Sequence, residues 1–410
     1  MPDLQAIGFA DDLHRCASVV GWIEMRVALV RGQHLNKWEM QNYEAVDPSI
    51  DFTAFSSMYG MHRLEGLRMP IRYLPSLDPL AARSLAGTIL VRPVLSGLGV
   101  DNRLLGLERM LRRFDVVHAA ETYYAFTWQA ARAKPHGRYK LITTCWETIP
   151  FGHEHLPFIA ERKRLVRARV DLYVAMSERA ASALRVEGVP SERIRTVLPG
   201  IDLEVFRPLP RSSAETLGVW KRSEGVRVLF VGRVDFSKGI RQLLLAAAEV
   251  ARRAGQTLPV EFAIVGNGPA PIVNPLLDGL GLRGIVSVVP GLPYARMPEL
   301  YASADIFVLP SIPTPHWEEQ FGMVLAESMA CGKAIIATTS GAIPEVVGDA
   351  GLLIPPYDSS ALSESILLLA EDAEHRARLG EHALLRARRL FDVQRFGSDM
   401  RRLYEEVMCS

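Results

Sequence analysis

The sequence predicts an α/β protein: two doubly wound domains built on parallel sheets and facing a cleft. Three observations carry this. The chain has 410 residues, more than a single hydrophobic core ordinarily serves. Short β-branched runs alternate with helix-length segments, the pattern of parallel βα units whose strands are covered on both faces. The alternation occurs twice, with a break near residue 205 where TVLPGIDLEVFRP (196–208) is rich in turn residues.

In chain order, MRVALV (25–30) reads as a buried strand bounded by Gly32, followed by FDVVHA (114–119), YKLITTCW (139–146) and LYVAMS (172–177). After the break come VRVLFVG (226–232), VEFAIVG (260–266), IVSVVPG (285–291), DIFVLPS (305–311) and KAIIATT (333–339). Near the end, RFGSDMRRLYEEVM (395–408) spaces Phe396, Met400, Leu403 and Val407 as on one helix face. The expected organisation is an extension at 1–24, a first domain at 25–205, a second at 206–390 and a terminal helix at 391–410. Because Met25 opens the first strand directly, residues 1–24 are expected to be poorly anchored, as in an overlong start.

Composition narrows the class. Hydrophobic residues make up 49% and charged residues 23%, as in soluble globular proteins. No apolar run approaches the roughly 20 residues of a membrane span, and the start carries Asp3, Asp11 and Asp12 without the basic region of a secretory leader. Cys16, Cys145, Cys331 and Cys409 are far apart, which argues against a structural zinc or a disulfide framework and suits the cytoplasm. The first half is mildly basic and the second mildly acidic. MHRLEGLRMPIRYLP (61–75) and ERKRLVRARV (161–170) are Arg-rich; peripheral contact with an anionic inner membrane face and solvated helix faces explain them equally. Nucleic acid is not an expected partner.

Ligands of open α/β sheets bind beyond the carboxyl ends of the strands, so the loops there hold the candidate chemistry. Gly232-Arg233 and Lys238-Gly239 follow the first strand of the second half and precede a helix: close backbone approach, two cations and a helix N-terminus suit an anion, ahead of an ordinary loop bearing two surface bases. Gly266 and Gly268, in GNGP, end the next strand, and alone a tight turn explains them. No P-loop and no complete G-x-G-x-x-G follows a strand, which weakens nucleotide hydrolysis and ordinary nicotinamide binding. In EEQFGMVLAE (318–327), Glu319 precedes a helix expected to start near Phe321-Gly322, with Met323 in its first turn. Glu327 lies two turns on, about 12 Å away along an ideal axis. Two carboxylates on either side of a diphosphate can each accept hydrogen bonds from the hydroxyls of one sugar of a nucleotide-sugar. A helix-start carboxylate and a surface residue would be the plainer reading, but Glu327 sits among apolar residues, where a carboxylate needs a partner.

These segments, FVGR…KG (230–239), VGNGP (265–269), E-x-F-G-x₄-E (319–327), MACGKAIIAT (329–338) and GAIPEVV (341–347), resemble the retaining GT-B glycosyltransferases. More narrowly, they are similar to the large family of bacterial mannosyl- and glucosyltransferases and sucrose-type synthases. VAMSE…VP…IRTVLPGIDLEVFRP (174–208) is similar to the segment by which that family enters its donor domain. The resemblance implies a donor domain in the second half, a terminal helix crossing back to the first, and transfer of a hexose from a UDP- or GDP-sugar to a hydroxyl with retention, in glycan, polysaccharide or glycolipid synthesis. Arg233 and Lys238 would bind the diphosphate, Glu327 the ribose and Glu319 the sugar hydroxyls, with the amides of Phe321, Gly322 and Met323 nearby. His118, ending FDVVH, matches a sugar-contacting histidine of the first domain; from the residues alone it is equally a satisfied strand-end histidine. Gly32 stands where many relatives carry a Gly-Gly pair, leaving Asn36, Lys37, Trp38 and Glu39 as candidates for the acceptor side. TCWETIP (144–150) also departs from the family pattern. The acceptor is a glycan, a lipid or a small molecule. The chain has no D-x-D, so neither a metal nor another cofactor is expected. A nucleotide-sugar-binding GT-B protein without catalysis and a nucleotide-sugar epimerase are the rival readings.

Overall fold

In the computed structural model, residues 25–76, 102–211, 217–221, 224–255, 258–268 and 270–410 are described; the extension at 1–24 lies outside them. Two parallel sheets organise the chain. The first contains β1 (Met25–Gly32), β2 (Ile50–Ser57), β3 (Ile71–Leu74), β4 (Val116–Ala120), β5 (Lys140–Cys145), β6 (Leu172–Ala175) and β7 (Ile194–Thr196), in the order β3-β2-β1-β4-β5-β6-β7. The second contains β8 (Val226–Val231), β9 (Val260–Val265), β10 (Val286–Val289), β11 (Ile306–Leu309), β12 (Ala334–Thr338) and β13 (Leu352–Ile354), in the order β10-β9-β8-β11-β12-β13. Each sheet is therefore doubly wound. Strand order reverses between β1 and β4 in one and between β8 and β11 in the other, and at such switch points the loops diverge and leave a crevice.

The strands form where apolar runs can be covered on both faces. Val27, Ala28, Leu29 and Val30 of β1 and every residue of β9 are buried, including Glu261. Helix Ile240–Ala254 turns Ile240, Leu243, Leu244, Ala247 and Val250 inward at helical spacing and packs on helix Ser359–Glu371. Residue contacts divide the chain into one compact unit of residues 1–144, 156–173 and 397–410, and another of 145–155 and 174–396. The terminal helix Val393–Cys409 buries Phe396, Met400, Leu403 and Val407, as its spacing predicts.

Four strands were not anticipated. β2, IDFTAFSS, is interrupted by Asp51 and Thr53, β3 carries exposed Arg72 and Tyr73 at the sheet edge, and β7 and β13 are three residues each. The Arg-rich stretch 61–75 is a loop leading into β3 and contains no helix. In 161–170 the helix Pro157–Arg169 buries Arg162 and Lys163, so those two cations are not on a solvated face. Among the described residues no helix is long and apolar enough to cross a membrane.

Candidate functional site

The second sheet gathers most of the predicted residues around its switch point. After β8 the chain passes Gly232 and Arg233 and makes a short 3-10 turn, Phe236–Lys238. Asp235 caps that turn, its Oδ1 accepting the amide of Lys238 at 3.1 Å and the hydroxyl of Ser237 at 2.6 Å. From β11 the chain enters the Ser311 loop, tied to the turn by the Ile312 amide donating to the Ser237 carbonyl at 2.7 Å. Lys238 Nζ donates to Glu319 Oε2 at 2.6 Å, and Ser311 Oγ donates to the same oxygen at 2.7 Å. The ammonium also lies 4.6 Å from the centroid of the Trp317 ring. The side chains of Lys238 and Glu319 are only 14% and 8% exposed, so this is a largely desolvated pair with a hydroxyl and an aromatic face completing its shell. Arg233 remains exposed, its Nη2 3.4 Å from Asp235 Oδ2.

Backbone packing fixes these loops. A Cβ at Gly266 would lie 1.7 Å from the carbonyl oxygen of Gly232, and one at Gly268 would lie 2.3 Å from that of Val234. The GNGP glycines thus let the β8 and β9 loops lie against each other, with Val234 N donating to Asn267 O at 3.0 Å. Gly341 serves Glu319 in the same way: its Cβ would stand 2.0 Å from the Glu319 carbonyl, which accepts the Ala342 amide at 2.8 Å. Only glycine fits such contacts.

Gly322 takes φ +82° as the N-cap of helix Met323–Ala330, slightly later than the start predicted at Phe321-Gly322. Phe321 is buried in the hydrophobic core, so its ring is structural and only its backbone can serve a ligand. Glu327, on this helix, is buried and accepts the Tyr301 hydroxyl at 2.6 Å. Burial pushes its carboxyl up to about 7, while hydrogen bonds from Tyr301 and Tyr294 pull the other way. The Tyr301 hydroxyl is pushed well above its ordinary value by its own burial and the adjacent carboxylate. Tyr301, Tyr294, Ser311, Trp317 and Asp235 were not read as site residues. Only Asp235, three residues before Lys238, leaves a local signal, that of a cap.

Two predicted residues lie in the first sheet. Gly32, at φ +57°, ends β1 beside the ring of Phe126, where a Cβ would come within 2.9 Å. His118 requires a correction. It does not end its strand: β4 runs on to Ala120, and His118 pairs in register with Leu29 of β1 and Ile142 of β5. Its ring is fully buried, with Nδ1 2.8 Å from the Tyr404 hydroxyl and Nε2 2.7 Å from that of Thr144. Burial and the nearby Arg31 hold it well below the ordinary histidine range. It is a satisfied core histidine, and the strand read as FDVVHA (114–119) runs one residue further, to Ala120.

The neighbouring polar residues are also engaged. Arg31 donates to Glu39 at 2.7 Å, to the His118 carbonyl at 2.9 Å and to the Tyr43 hydroxyl at 2.9 Å. Asn36 caps helix Lys37–Glu44 through the Glu39 amide at 2.8 Å. Among the described residues no group of three or more His, Cys, Asp or Glu side chains is placed to hold a metal.

Comparison with known proteins gives this arrangement a context. Residues 70–205 match the family model described as Glycosyltransferase Family 4, and residues 219–386 the one described as Glycosyl transferases group 1. The chain superposes over 93% of its length on all of Anabaena HepE, solved with UDP and glucose, with a TM-score of 0.72 at 20% identity. The fold is that of the GT-B glycosyltransferase family. Sucrose-phosphate synthase from Thermosynechococcus elongatus shares it, with a TM-score of 0.69 at 18% identity over 94% of this chain and 99% of that one. In sequence the chain is 34% identical over 232 residues to D-inositol 3-phosphate glycosyltransferase 2 of Catenulispora acidiphila, covering 53% of this chain and 52% of the relative. It is 30% identical over 273 residues to D-inositol 3-phosphate glycosyltransferase of Saccharomonospora viridis, covering 64% of this chain and 59% of the relative. The chain thus spans about half the length of the curated relatives it matches.

Proposed function

We propose that the protein transfers a hexose from a UDP- or GDP-sugar to an acceptor hydroxyl, with retention at the anomeric carbon and without a metal. The observation that carries this reading is the convergence of Lys238, Glu319 and Ser311 at the β8/β11 switch point, with helix Met323–Ala330 bearing a buried, tyrosine-held Glu327. The relatives' names support glycosyl transfer, and the UDP bound by HepE supports the donor class.

In this reading Arg233 and Lys238 neutralise the diphosphate together with the N-terminus of helix Met323–Ala330. Their charge matters most as the sugar–phosphate bond lengthens and negative charge gathers on the leaving phosphate. In the same reading Glu319, held by Lys238 and Ser311, accepts from the hexose hydroxyls, and Glu327 from the ribose. Retention follows if the departing phosphate takes the acceptor's proton on the face where the acceptor attacks. In this reading His118 is structural, with both its nitrogens bound in the core.

A thermal-shift panel of UDP, GDP and ADP with their glucose, galactose, mannose and N-acetylglucosamine conjugates tests the donor site. A ligand present at 100 times its dissociation constant stabilises by about 2.7 kcal/mol. One nucleotide series should shift the wild type and not Glu327→Ala. No shift with any nucleotide would contradict the reading.

A further inference from the structure

The cation and the carboxylate that the second sheet brings together satisfy each other before any ligand arrives. Lys238 Nζ donates to Glu319 Oε2 at 2.6 Å, and the Trp317 ring covers another side of the ammonium, its centroid 4.6 Å away. A cation neutralised at that distance, on a side chain only 14% exposed, presents almost no net charge to an incoming anion. Glu319 is less committed than Lys238. Ser311 Oγ donates at 2.7 Å to the same Oε2, so the carboxylate keeps one donor if the lysine turns away. Both hydrogen bonds fall on one oxygen. Among the described residues none donates to Oε1, which leaves half of the carboxylate open to a hydroxyl. A nucleoside diphosphate that draws Lys238 onto its phosphates therefore strips a largely buried carboxylate of its countercharge, which is costly. A nucleotide-sugar draws the same lysine but supplies hexose hydroxyls to Glu319 in exchange.

We propose that the Lys238–Glu319 pair makes the site favour the intact nucleotide-sugar over the nucleoside diphosphate left after transfer. The pair opens for a donor that satisfies both partners and re-forms once the hexose has gone, which helps to expel the spent nucleotide. This rests on the transferase reading, with Lys238 meeting the phosphates and Glu319 the hexose. The test is isothermal titration calorimetry on wild type, Glu319→Gln and Ser311→Ala, with UDP and GDP free and as their glucose, galactose, mannose and N-acetylglucosamine conjugates. Glu319→Gln holds Lys238 less firmly. The nucleoside diphosphate should then bind about 10-fold more tightly, the worth of one hydrogen bond to a charged group, while its conjugate, deprived of a charged acceptor, gains nothing. Ser311→Ala leaves every charge in place but makes Glu319 depend on Lys238 alone. It should weaken the nucleoside diphosphate by about 10-fold and the conjugate by less. Preference for the conjugate thus falls in one variant and rises in the other, whereas damaged packing would weaken both ligands together. A nucleoside diphosphate affinity unchanged in either variant, or moved the same way in both, overturns the proposal and leaves the donor site standing. So does a wild type that binds the nucleoside diphosphate as tightly as every conjugate. Should Glu319→Gln fail to fold, the direction of the Ser311→Ala shift decides alone. A wild type that binds neither kind of ligand overturns the transferase reading itself.

Discussion

Replacing Glu327 by glutamine should stabilise the free protein at pH 8 and change it little at pH 5. The Glu327 carboxyl rises from 4.5 to about 7 on folding, chiefly through burial. A carboxyl with a higher pKa in the folded state binds more protons there than in the unfolded chain between those two values. Stability therefore falls as pH climbs through that window. Linkage with 4.5 and about 7 as the two pKa values gives a loss of about 2.5 kcal/mol between pH 5 and pH 8. Glutamine carries no charge and escapes this loss, and its oxygen can still accept the Tyr301 hydroxyl. Its amide group meets the second tyrosine less well, at about 1 kcal/mol at either pH. The variant should then be more stable than wild type by about 2 kcal/mol at pH 8 and roughly equal to it at pH 5. Urea unfolding of both proteins at the two pH values measures this. The same substitution should abolish the nucleotide thermal shift, so stability and binding move in opposite directions. A stability difference that is the same at pH 5 and pH 8 would refute the account of Glu327 as a buried carboxyl titrating near neutrality.

Lys238→Ala should lower turnover by about 100- to 1000-fold and destabilise the fold by only about 1–3 kcal/mol, since Glu319 keeps Ser311 as a donor; steady-state kinetics and a melting curve check the split. Gly266→Ala places a methyl 1.7 Å from the Gly232 carbonyl, and the loop shift it forces should cost about 1–3 kcal/mol and weaken nucleotide binding, read by melting with and without UDP and GDP. His118 is held neutral in the fold, so the unfolded chain binds the extra proton first and stability should fall as pH drops below the ordinary histidine value of 6.5. His118→Asn should be less stable at pH 7, lack that part of the acid sensitivity, and leave the nucleotide shift intact.

The second sheet was legible because β8, β9, β11 and β12 are apolar runs buried on both faces, and because chemistry in such sheets gathers in the loops directly after the strands. The pairing inside the site was not legible. Lys238 and Glu319 are 81 positions apart, and Tyr301 precedes Glu327 by 26; strand order brings them together, and no local pattern records it. His118 illustrates the opposite failure. The match of FDVVH put His118 at a strand end, yet Ala119 and Ala120 continue the ladder, and the ring is held by Tyr404 and Thr144 in the core.

The central claim is tested most directly by incubating the wild type, in EDTA, with UDP- and GDP-hexoses and a set of glycan, lipid and cyclitol acceptors, then following nucleoside diphosphate release and the anomeric proton of any product by NMR. The account predicts acceptor-dependent release with one nucleotide series, unaffected by chelation, and a product with the anomeric configuration of the donor. Inverted product, or release that needs a divalent cation, would contradict the mechanism; a nucleotide-sugar bound tightly yet never transferred to any acceptor would contradict the claim itself.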